Sequence, residues 1–271
     1  MIPASFDYEV AESVDHAIEL LGSDRDAKIL AGGHSLLPLM RLRLARPELL
    51  VDVGRLGDLS YVREDGDATA IGALTRYRDL ETSELLRSAC PILAETASLV
   101  GDPQVRHRGT IGGSIAHCDP ASDAPTVLLA LDAELVVRGP EGERRCSVAD
   151  SFGGFLQTAL GPQEILTEIR VPKAAAGAYV KFHRRAQDWA TVAVAAVRAN
   201  GGARVALTNM GPTALRAAGV EEALASGSDP AAAAERAAEG TSPPSDHNAS
   251  AEFREHLARV LARRALERAL A

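Results

Sequence analysis

The spacing of hydrophobic residues predicts a β-α-β unit at the start of the chain. Apolar positions recur at helical spacing over residues 14–21, directly after a potential capping residue, Ser13, and a glycine follows them. Short apolar runs at 27–31 and 49–53 have the length of buried strands. Between them, residues 36–44 form a short apolar segment that ends before a proline, which predicts a second helix.

The middle of the chain mixes strands with helices by the same criteria. Its predicted elements are a hairpin joining 61–63 to 68–73 through Asp65-Gly66, a helix over 91–100, a helix over 124–131, a hairpin over 134–148 that turns at 140–142, and a strand over 165–171. Strands that alternate with helices and hairpins indicate an α+β fold.

Small residues at 174–177 predict a linker, because alanine and glycine add flexibility without apolar area. We therefore expect one domain over 1–175, divided near residue 55 into subdomains 1–55 and 56–175, and a second domain over 176–271. The second domain has three predicted strands, at 179–184, 191–198 and 203–210, with a turn at 200–202, a loosely structured region over 227–248 and a final helix over 250–271.

Composition and charge narrow the class of protein. The chain has 271 residues, of which 46% are apolar, and a net charge of −8, which argues against sequence-independent binding to nucleic acid or anionic lipid. We find no basic start followed by an apolar core and no run of eighteen apolar residues, so neither export nor a membrane span is expected. Three cysteines without a Cys-x-x-Cys pair favour a cytoplasmic location.

Two glycine pairs in similar surroundings are the main candidates for a binding site. The first glycine turn, residues 31–36, reads AGGHSL, and the second glycine turn, residues 109–114, reads GTIGGS. Glycine leaves backbone N–H groups open to an anion, so two such turns predict a pyrophosphate held from both sides. The Gly-x-Gly-x-x-Gly fingerprint and the Gly-x-x-x-x-Gly-Lys-Ser/Thr loop are both absent, which disfavours a Rossmann dehydrogenase and a P-loop ATPase.

Other residues offer weaker chemistry. His117 and Cys118 are neighbours and would face opposite sides of an extended chain, so they do not suggest a nucleophile and its base. The histidines and cysteines show no zinc or iron–sulfur spacing, and we predict no metal ligands and no catalytic side chain. Asp123 is equally suited to bind a ribose or to cap the following helix. Lys181 is one of three lysines, which makes a cofactor contact worth testing.

Four segments together resemble the flavin-binding medium subunit of molybdenum hydroxylases, the family of aerobic carbon monoxide dehydrogenase and xanthine dehydrogenase. They are, in family order, residues 31–38 (AGGHSLLP), 104–114 (QVRHRGTIGGS), 164–172 (EILTEIRVP) and 181–186 (KFHRRA). The resemblance extends over nearly the whole chain. One position differs, because the family commonly has asparagine where this chain has His107.

The resemblance implies a fold and a cofactor. The first domain would have the two-subdomain FAD-binding fold of the vanillyl-alcohol oxidase (PCMH) type, followed by a small α/β domain with a three-stranded antiparallel sheet and helices. The cofactor would be FAD, with Asp123 on its adenosine side and Leu166 and Lys181 at the flavin. The positions that match the family's binding residues are Leu30, Ala31, Gly32, Gly33, His34, Ser35, Leu36, Thr110, Ile111, Gly112, Gly113, Ser114, Asp123, Leu166 and Lys181.

The resemblance also implies partners. An iron–sulfur small subunit with 2Fe–2S clusters would deliver electrons to the FAD, and a molybdopterin large subunit would bind the substrate, within a heterohexamer. The final acceptor would be quinone, oxygen or NAD. Two alternatives stay open: a free-standing flavoprotein oxidase or reductase of the same fold, and a non-catalytic nucleotide-binding or assembly module.

Overall fold

The strands form three larger sheets and one two-stranded ribbon within residues 2–23, 26–174, 176–200 and 202–271, which are the residues that the computed structural model describes. Ala175 of the predicted linker and Gly201 of the predicted turn lie outside them. The strands are β1 (Asp7–Val10), β2 (Ala27–Leu30), β3 (Leu49–Asp52), β4 (Val62–Asp65), β5 (Ala68–Gly72), β6 (Glu134–Gly139), β7 (Gly142–Ser147), β8 (Phe152–Gly154), β9 (Gln157–Thr158), β10 (Ile165–Pro172), β11 (Gly177–Phe182), β12 (Val192–Ala199), β13 (Gly202–Thr208) and β14 (Leu215–Arg216).

Helices connect and cover these sheets. They are α1 (Val14–Leu21), α2 (Leu36–Arg41), α3 (Tyr77–Thr82), α4 (Glu84–Ala89), α5 (Pro91–Ser98), α6 (Pro103–Arg108), α7 (Ile111–His117), α8 (Asp123–Ala130), α9 (Ala218–Ala225), α10 (Pro230–Ala234) and α11 (Ala251–Leu270), with 3₁₀ turns at Gly57–Leu59, Ala149–Ser151 and Glu235–Ala238.

The first sheet is parallel, in the order β1-β3-β2. Its β2-α2-β3 segment confirms the predicted β-α-β unit, although α2 ends at Arg41 and not at residue 44. Ser13 caps α1 as predicted, because its hydroxyl accepts a hydrogen bond from the N–H of His16 (3.0 Å). Strand β1 was not predicted. Strand β2 is half-buried where a buried strand was expected, because its residues line a cavity.

The second sheet is antiparallel, in the order β4-β5-β10-β6-β7, and contains both predicted hairpins. Gly66 occupies the left-handed region (φ +61°) in the first hairpin turn, and Gly142 has a φ of +106° in the second. A β-bulge interrupts β10 between Leu166 and Glu168. Bulges redirect the side chains beside them, and Leu166 reaches the same cavity as β2.

Six helices, α3 to α8, lie between strands β5 and β6 in the chain, and all of them except α6 contribute side chains to the core against the second sheet. The apolar pattern predicted α5 and α8. It missed α3, α4, α6 and α7, which have six or seven residues each. A helix of fewer than two turns shows too little of a 3.6-residue period to be recognised.

The third sheet, β11-β12-β13-β14, confirms the three predicted antiparallel strands and adds the two-residue strand β14. Strand β12 is buried on both faces. Ala193, Ala195 and Val197 belong to the core formed with α3 to α8, while Val192 and Val194 belong to the core formed with α11. The core formed with the helical layer therefore includes residues from both halves of the chain.

The C-terminal helix α11 begins after Ser250, which caps it through the N–H of Phe253 (3.3 Å). Its first turn departs from the usual placement of charged and apolar side chains: Arg254 is fully buried and donates to Asp246 (2.7 Å), while Phe253 is exposed. The region 227–248 is also more ordered than predicted, since it contains α10 and a 3₁₀ turn.

Candidate functional site

A cavity of about 700 Å³ lies where the first sheet, the helical layer and the third sheet meet. Its size suits a large cofactor, since ligand sites usually measure about 300–1,000 Å³. Every predicted binding residue lies in its wall except Ile111, whose side chain is fully buried in the apolar core. The residues that do line it are Leu30, Ala31, Gly32, Gly33, His34, Ser35, Leu36, Thr110, Gly112, Gly113, Ser114, Asp123, Leu166 and Lys181.

The first glycine turn joins β2 to α2 and presents free backbone donors. The carbonyl of Gly33 accepts a hydrogen bond from the N–H of Leu37 (3.1 Å), which starts the helix. The N–H groups of residues 33–36 have no hydrogen-bond acceptor among the residues that the structure describes. Gly33 has a φ of +77°, which other residues adopt only with strain. The turn therefore has the open amides that an anion needs.

The second glycine turn joins α6 to α7, and the amides of Ile111, Gly112 and Gly113 already have acceptors. The N–H of Ile111 donates to Thr75 O (3.1 Å), and that of Gly112 donates to Ala73 O (2.9 Å). The N–H of Gly113 donates to the hydroxyl of Thr110 (3.2 Å), which caps α7. The prediction that bare amides of both turns converge on one anion is therefore wrong for these three amides of the second turn, although all of its residues except Ile111 line the cavity.

Two glycines are needed because backbones approach each other there. A Cβ on Gly32 would lie 2.4 Å from the carbonyl oxygen of Arg108 and 2.9 Å from the Cα of Gly109, so the two turns touch at this point. A Cβ on Gly112 would lie 2.7 Å from the carbonyl oxygen of Ala73. A Cβ on Gly113 would contact only the Thr110 hydroxyl, at 2.8 Å. This last glycine is exposed in the cavity wall, and a side chain there would project toward a ligand.

Asp123 and Lys181 form a buried ion pair in the cavity wall, with Nζ 2.9 Å from Oδ2 and both side chains less than a tenth exposed. Lys181 Nζ also donates to Leu99 O (3.2 Å), and the hydroxyl of Tyr179 donates to Asp123 Oδ1 (2.6 Å). Burial raises the pKa of the Asp123 carboxyl, while Lys181 and Tyr179 oppose that change. Burial also holds the pKa of Tyr179 well above its usual range, so this hydroxyl stays a donor.

The ion pair corrects one prediction and constrains another. Asp123 does not cap α8: the capping position is Ser122, and the Asp123 carboxylate is bound to Tyr179 and Lys181. The roles assigned to Asp123, on the adenosine side, and to Lys181, at the flavin, stay predictions, but the two side chains are in contact. A ligand that touches one of them is beside the other.

Sequence reasoning missed other residues of the wall. Tyr77 on α3 donates to the Ser114 hydroxyl (2.6 Å), and burial raises its pKa above the usual range. Trp189 lies in the loop after β11 and is more than half exposed. The only sequence signal for Trp189 is that it is a single aromatic residue in a polar segment. No neighbouring residues of Tyr77 indicate that it lies in a binding site. Cys118, dismissed as a nucleophile, is buried, and burial raises the pKa of its thiol.

Among the described residues, no three His, Cys, Asp or Glu side chains are grouped so that they could hold a metal ion. No helix in the described part of the chain is long and apolar enough to cross a membrane.

Two family models match the chain almost from end to end. Residues 4–174 match the FAD binding domain in molybdopterin dehydrogenase, and residues 177–269 match the CO dehydrogenase flavoprotein C-terminal domain. The fold and the cavity thus define an FAD-binding protein. The chain belongs to the family of FAD-binding medium subunits of molybdenum hydroxylases, which are oxidoreductases of the CO dehydrogenase type. The predicted fold class and the predicted cofactor, FAD, are confirmed.

Two related proteins align with this chain over its full length. The carbon monoxide dehydrogenase medium chain of Hydrogenophaga pseudoflava is 42% identical, over all of this chain and 99% of the relative. The 6-hydroxypseudooxynicotine dehydrogenase complex subunit alpha of Paenarthrobacter nicotinovorans is 40% identical, over all of this chain and 96% of the relative.

Solved structures of two related enzymes contain chains that are similar to this one over nearly its whole length. The carbon monoxide dehydrogenase of H. pseudoflava that lacks the Mo-pyranopterin moiety has a chain with a TM-score of 0.95 and 43% identity, covering all of this chain and 99% of that one. Quinoline 2-oxidoreductase from Pseudomonas putida 86 has a chain with a TM-score of 0.93 and 31% identity, covering 99% and 98%.

Proposed function

We propose that this chain is the electron-transfer subunit of a heteromeric molybdenum hydroxylase. It receives electrons from a partner 2Fe–2S subunit and passes them to an external acceptor, while a molybdopterin subunit transforms the substrate. The relatives named as a medium chain or as a subunit of a dehydrogenase complex support this assignment. The matched segments 4–174 and 177–269 likewise support the domain boundary proposed near residue 175.

The observation that carries the proposal is a cavity with open amides in one part of its wall and a buried ion pair in another. We assign the pyrophosphate of FAD to the first glycine turn, because residues 33–36 have N–H groups without an acceptor among the described residues. Gly113 fits the same assignment, since it leaves space where a Cβ would project into the cavity. The residues present therefore fit the cofactor.

The Asp123–Lys181 pair suits the flavin, which both residues would then contact. Bound FAD supplies the redox chemistry, since a flavin can exchange electrons singly or in pairs. Lys181 places a buried ammonium in the wall, and Asp123 and Leu99 fix its position through hydrogen bonds. Tyr179 donates a hydrogen bond to the other carboxylate oxygen of Asp123, which fixes the orientation of the ion pair in the cavity wall. The chain's own contribution is to bind, orient and polarise the cofactor.

The test is to purify the chain from its native host through an affinity tag and to analyse what accompanies it. We expect a yellow protein that co-elutes with one subunit containing 2Fe–2S clusters and one containing molybdenum, identified by mass spectrometry, EPR and metal analysis. A yellow protein that elutes alone with full dehydrogenase activity would contradict the proposal in favour of a free-standing flavoprotein. A colourless protein that binds no added FAD would contradict both.

A further inference from the structure

The turn that follows α2 has an apolar surface exposed to solvent. Leu42 is 56% exposed, Leu44 is 73% exposed and Leu37, one helical turn earlier, is 40% exposed. A single exposed leucine is ordinary in a globular protein, but three within eight residues concentrate apolar surface in one short segment. Such patches mark contact surfaces.

Three arginines alternate with these leucines. Arg41, Arg43 and Arg46 are exposed, and residues 36–47 include no acidic side chain. None of the three guanidinium groups forms an ion pair with a carboxylate of the described residues; Arg43 Nε donates to Ile2 O (3.3 Å) and Arg46 Nε to Arg43 O (3.0 Å). Carbonyl partners orient these arginines without neutralising them. We call the patch formed by Leu37, Arg41, Leu42, Arg43, Leu44 and Arg46 the α2 surface.

The backbone of the α2 surface is held in one conformation. The N–H groups of Leu44 and Ala45 both donate to Leu39 O, at 2.9 and 3.3 Å. Arg43 lies in the left-handed region (φ +60°), which folds the chain back against the helix. A surface ordered before binding loses less conformational entropy when a partner docks.

The opposite side of the same segment faces the FAD cavity. Leu36, Leu39 and Ala45 line that cavity, and Met40 is buried beneath the patch. An α-helix with its side chains is about 10 Å thick. A protein bound to the α2 surface would therefore be separated from the cofactor by little more than one helix.

We propose that the α2 surface docks the iron–sulfur partner through a contact face that is acidic around an apolar centre. This inference rests on the proposed function and adds the location of the contact. In a chain with a net charge of −8, an acidic protein is repelled by most of the surface and is attracted to this basic patch. The leucines would form the dry centre of the contact and the arginines its charged rim.

The experiment compares two double substitutions with the same change in charge. R41E/R46E alters the α2 surface, whereas R87E/R264E reverses two exposed arginines on α4 and α11. Each tagged, FAD-loaded chain is titrated with the 2Fe–2S subunit isolated from the native complex, at several salt concentrations. A third variant, L44S, removes apolar area and leaves the charge unchanged.

We expect R41E/R46E to weaken association about tenfold or more and to flatten its salt dependence, and L44S to weaken it about threefold. R87E/R264E should bind like the unchanged chain, and the flavin absorbance of every variant should be retained. Equal binding by R41E/R46E and the control would overturn the docking site while leaving the proposed function intact. An unchanged chain that binds no 2Fe–2S subunit would instead overturn the proposed function.

Two other ligands of the α2 surface, a membrane or a second copy of this chain, would give different experimental results. Loss of binding to phosphatidylglycerol vesicles in R41E/R46E, with partner affinity unchanged, would assign the α2 surface to a membrane and overturn the proposal. A change from dimer to monomer on light scattering, again with partner affinity unchanged, would assign it to a second copy of this chain.

Discussion

In the first glycine turn, the amides of residues 33–36 have no acceptor among the described residues, whereas in the second glycine turn the amides of Ile111, Gly112 and Gly113 all have one. The N–H groups of the second turn donate to Ala73, Thr75 and Thr110. These hydrogen bonds join α7 to the segment that follows β5. Similar sequences thus perform different tasks. One turn offers donors to a ligand, and the other builds the wall beside it.

The two turns also depend on each other. Gly32 packs against the backbone at residues 108–109, so the open turn rests directly on the bonded one. This contact gives the second turn a structural role: the carbonyl of Arg108 and the Cα of Gly109 form the surface against which the first turn packs. The difference between binding and building can be tested with single substitutions.

The largest effect is expected for Gly32→Ala, which forces the two turns apart. Its Cβ would overlap the carbonyl of Arg108, and backbone cannot move aside as a flexible side chain can. We expect the free energy of unfolding of the apo-protein to fall by about 3 kcal/mol, with loss of FAD binding. Urea denaturation and flavin absorbance measure the two effects. Normal stability with normal FAD content would show that the turns are not in contact.

A smaller and more selective effect is expected for Gly113→Ala. Because its Cβ would meet only the Thr110 hydroxyl and the cavity, FAD affinity should fall about tenfold, equivalent to about 1.4 kcal/mol, while the stability of the apo-protein stays within about 1 kcal/mol. The matched control is Gly112→Ala, one residue earlier, whose Cβ would collide with Ala73 and should mainly reduce stability. FAD titration of both apo-proteins separates the outcomes. If both variants lose the same stability, Gly113 serves packing and not the cofactor.

The smallest effect is expected for Thr110→Ala compared with Ser35→Ala. Thr110 caps α7 through the N–H of Gly113, so its loss should cost about 1 kcal/mol of stability. Ser35 occupies the equivalent position before α2, but its hydroxyl makes no capping hydrogen bond, so Ser35→Ala should leave the stability of the apo-protein unchanged. Thermal unfolding of the two apo-proteins measures the difference. Equal destabilisation would contradict the assignment of the two turns to different tasks.

The positions of both turns could be predicted because each is signalled by a few adjacent residues. The hydrogen-bond partners of their amides could not be predicted from the sequence. Whether Gly112 donates to a ligand or to Ala73 depends on a carbonyl 39 positions earlier in the chain, which no local pattern reveals. The same limit applies to Asp123 and Lys181, which were recognised separately but not as one pair.

Several helices were missed for a different reason, which is their short length. Long or regular segments such as α1, β12 and α11 were found because their periodicity extends over several residues. The short helices around the second turn lack such a signal, and packing against the second sheet decides their conformation. Arg254 is the clearest exception on α11: it is fully buried and donates to the Asp246 carboxylate and to the carbonyl of Thr191, two partners that lie outside the helix.

Strand β12 has a consequence for how the protein can be cut or recombined. Because it contributes side chains to the cores on both of its faces, neither half of the chain can be removed without exposing a wide apolar sheet face. A protease that nicks the chain near residue 175 should leave two fragments that stay associated under native conditions. A chimera that exchanges residues 176–271 with those of a relative would require matching substitutions on α5 and α8 to remain soluble.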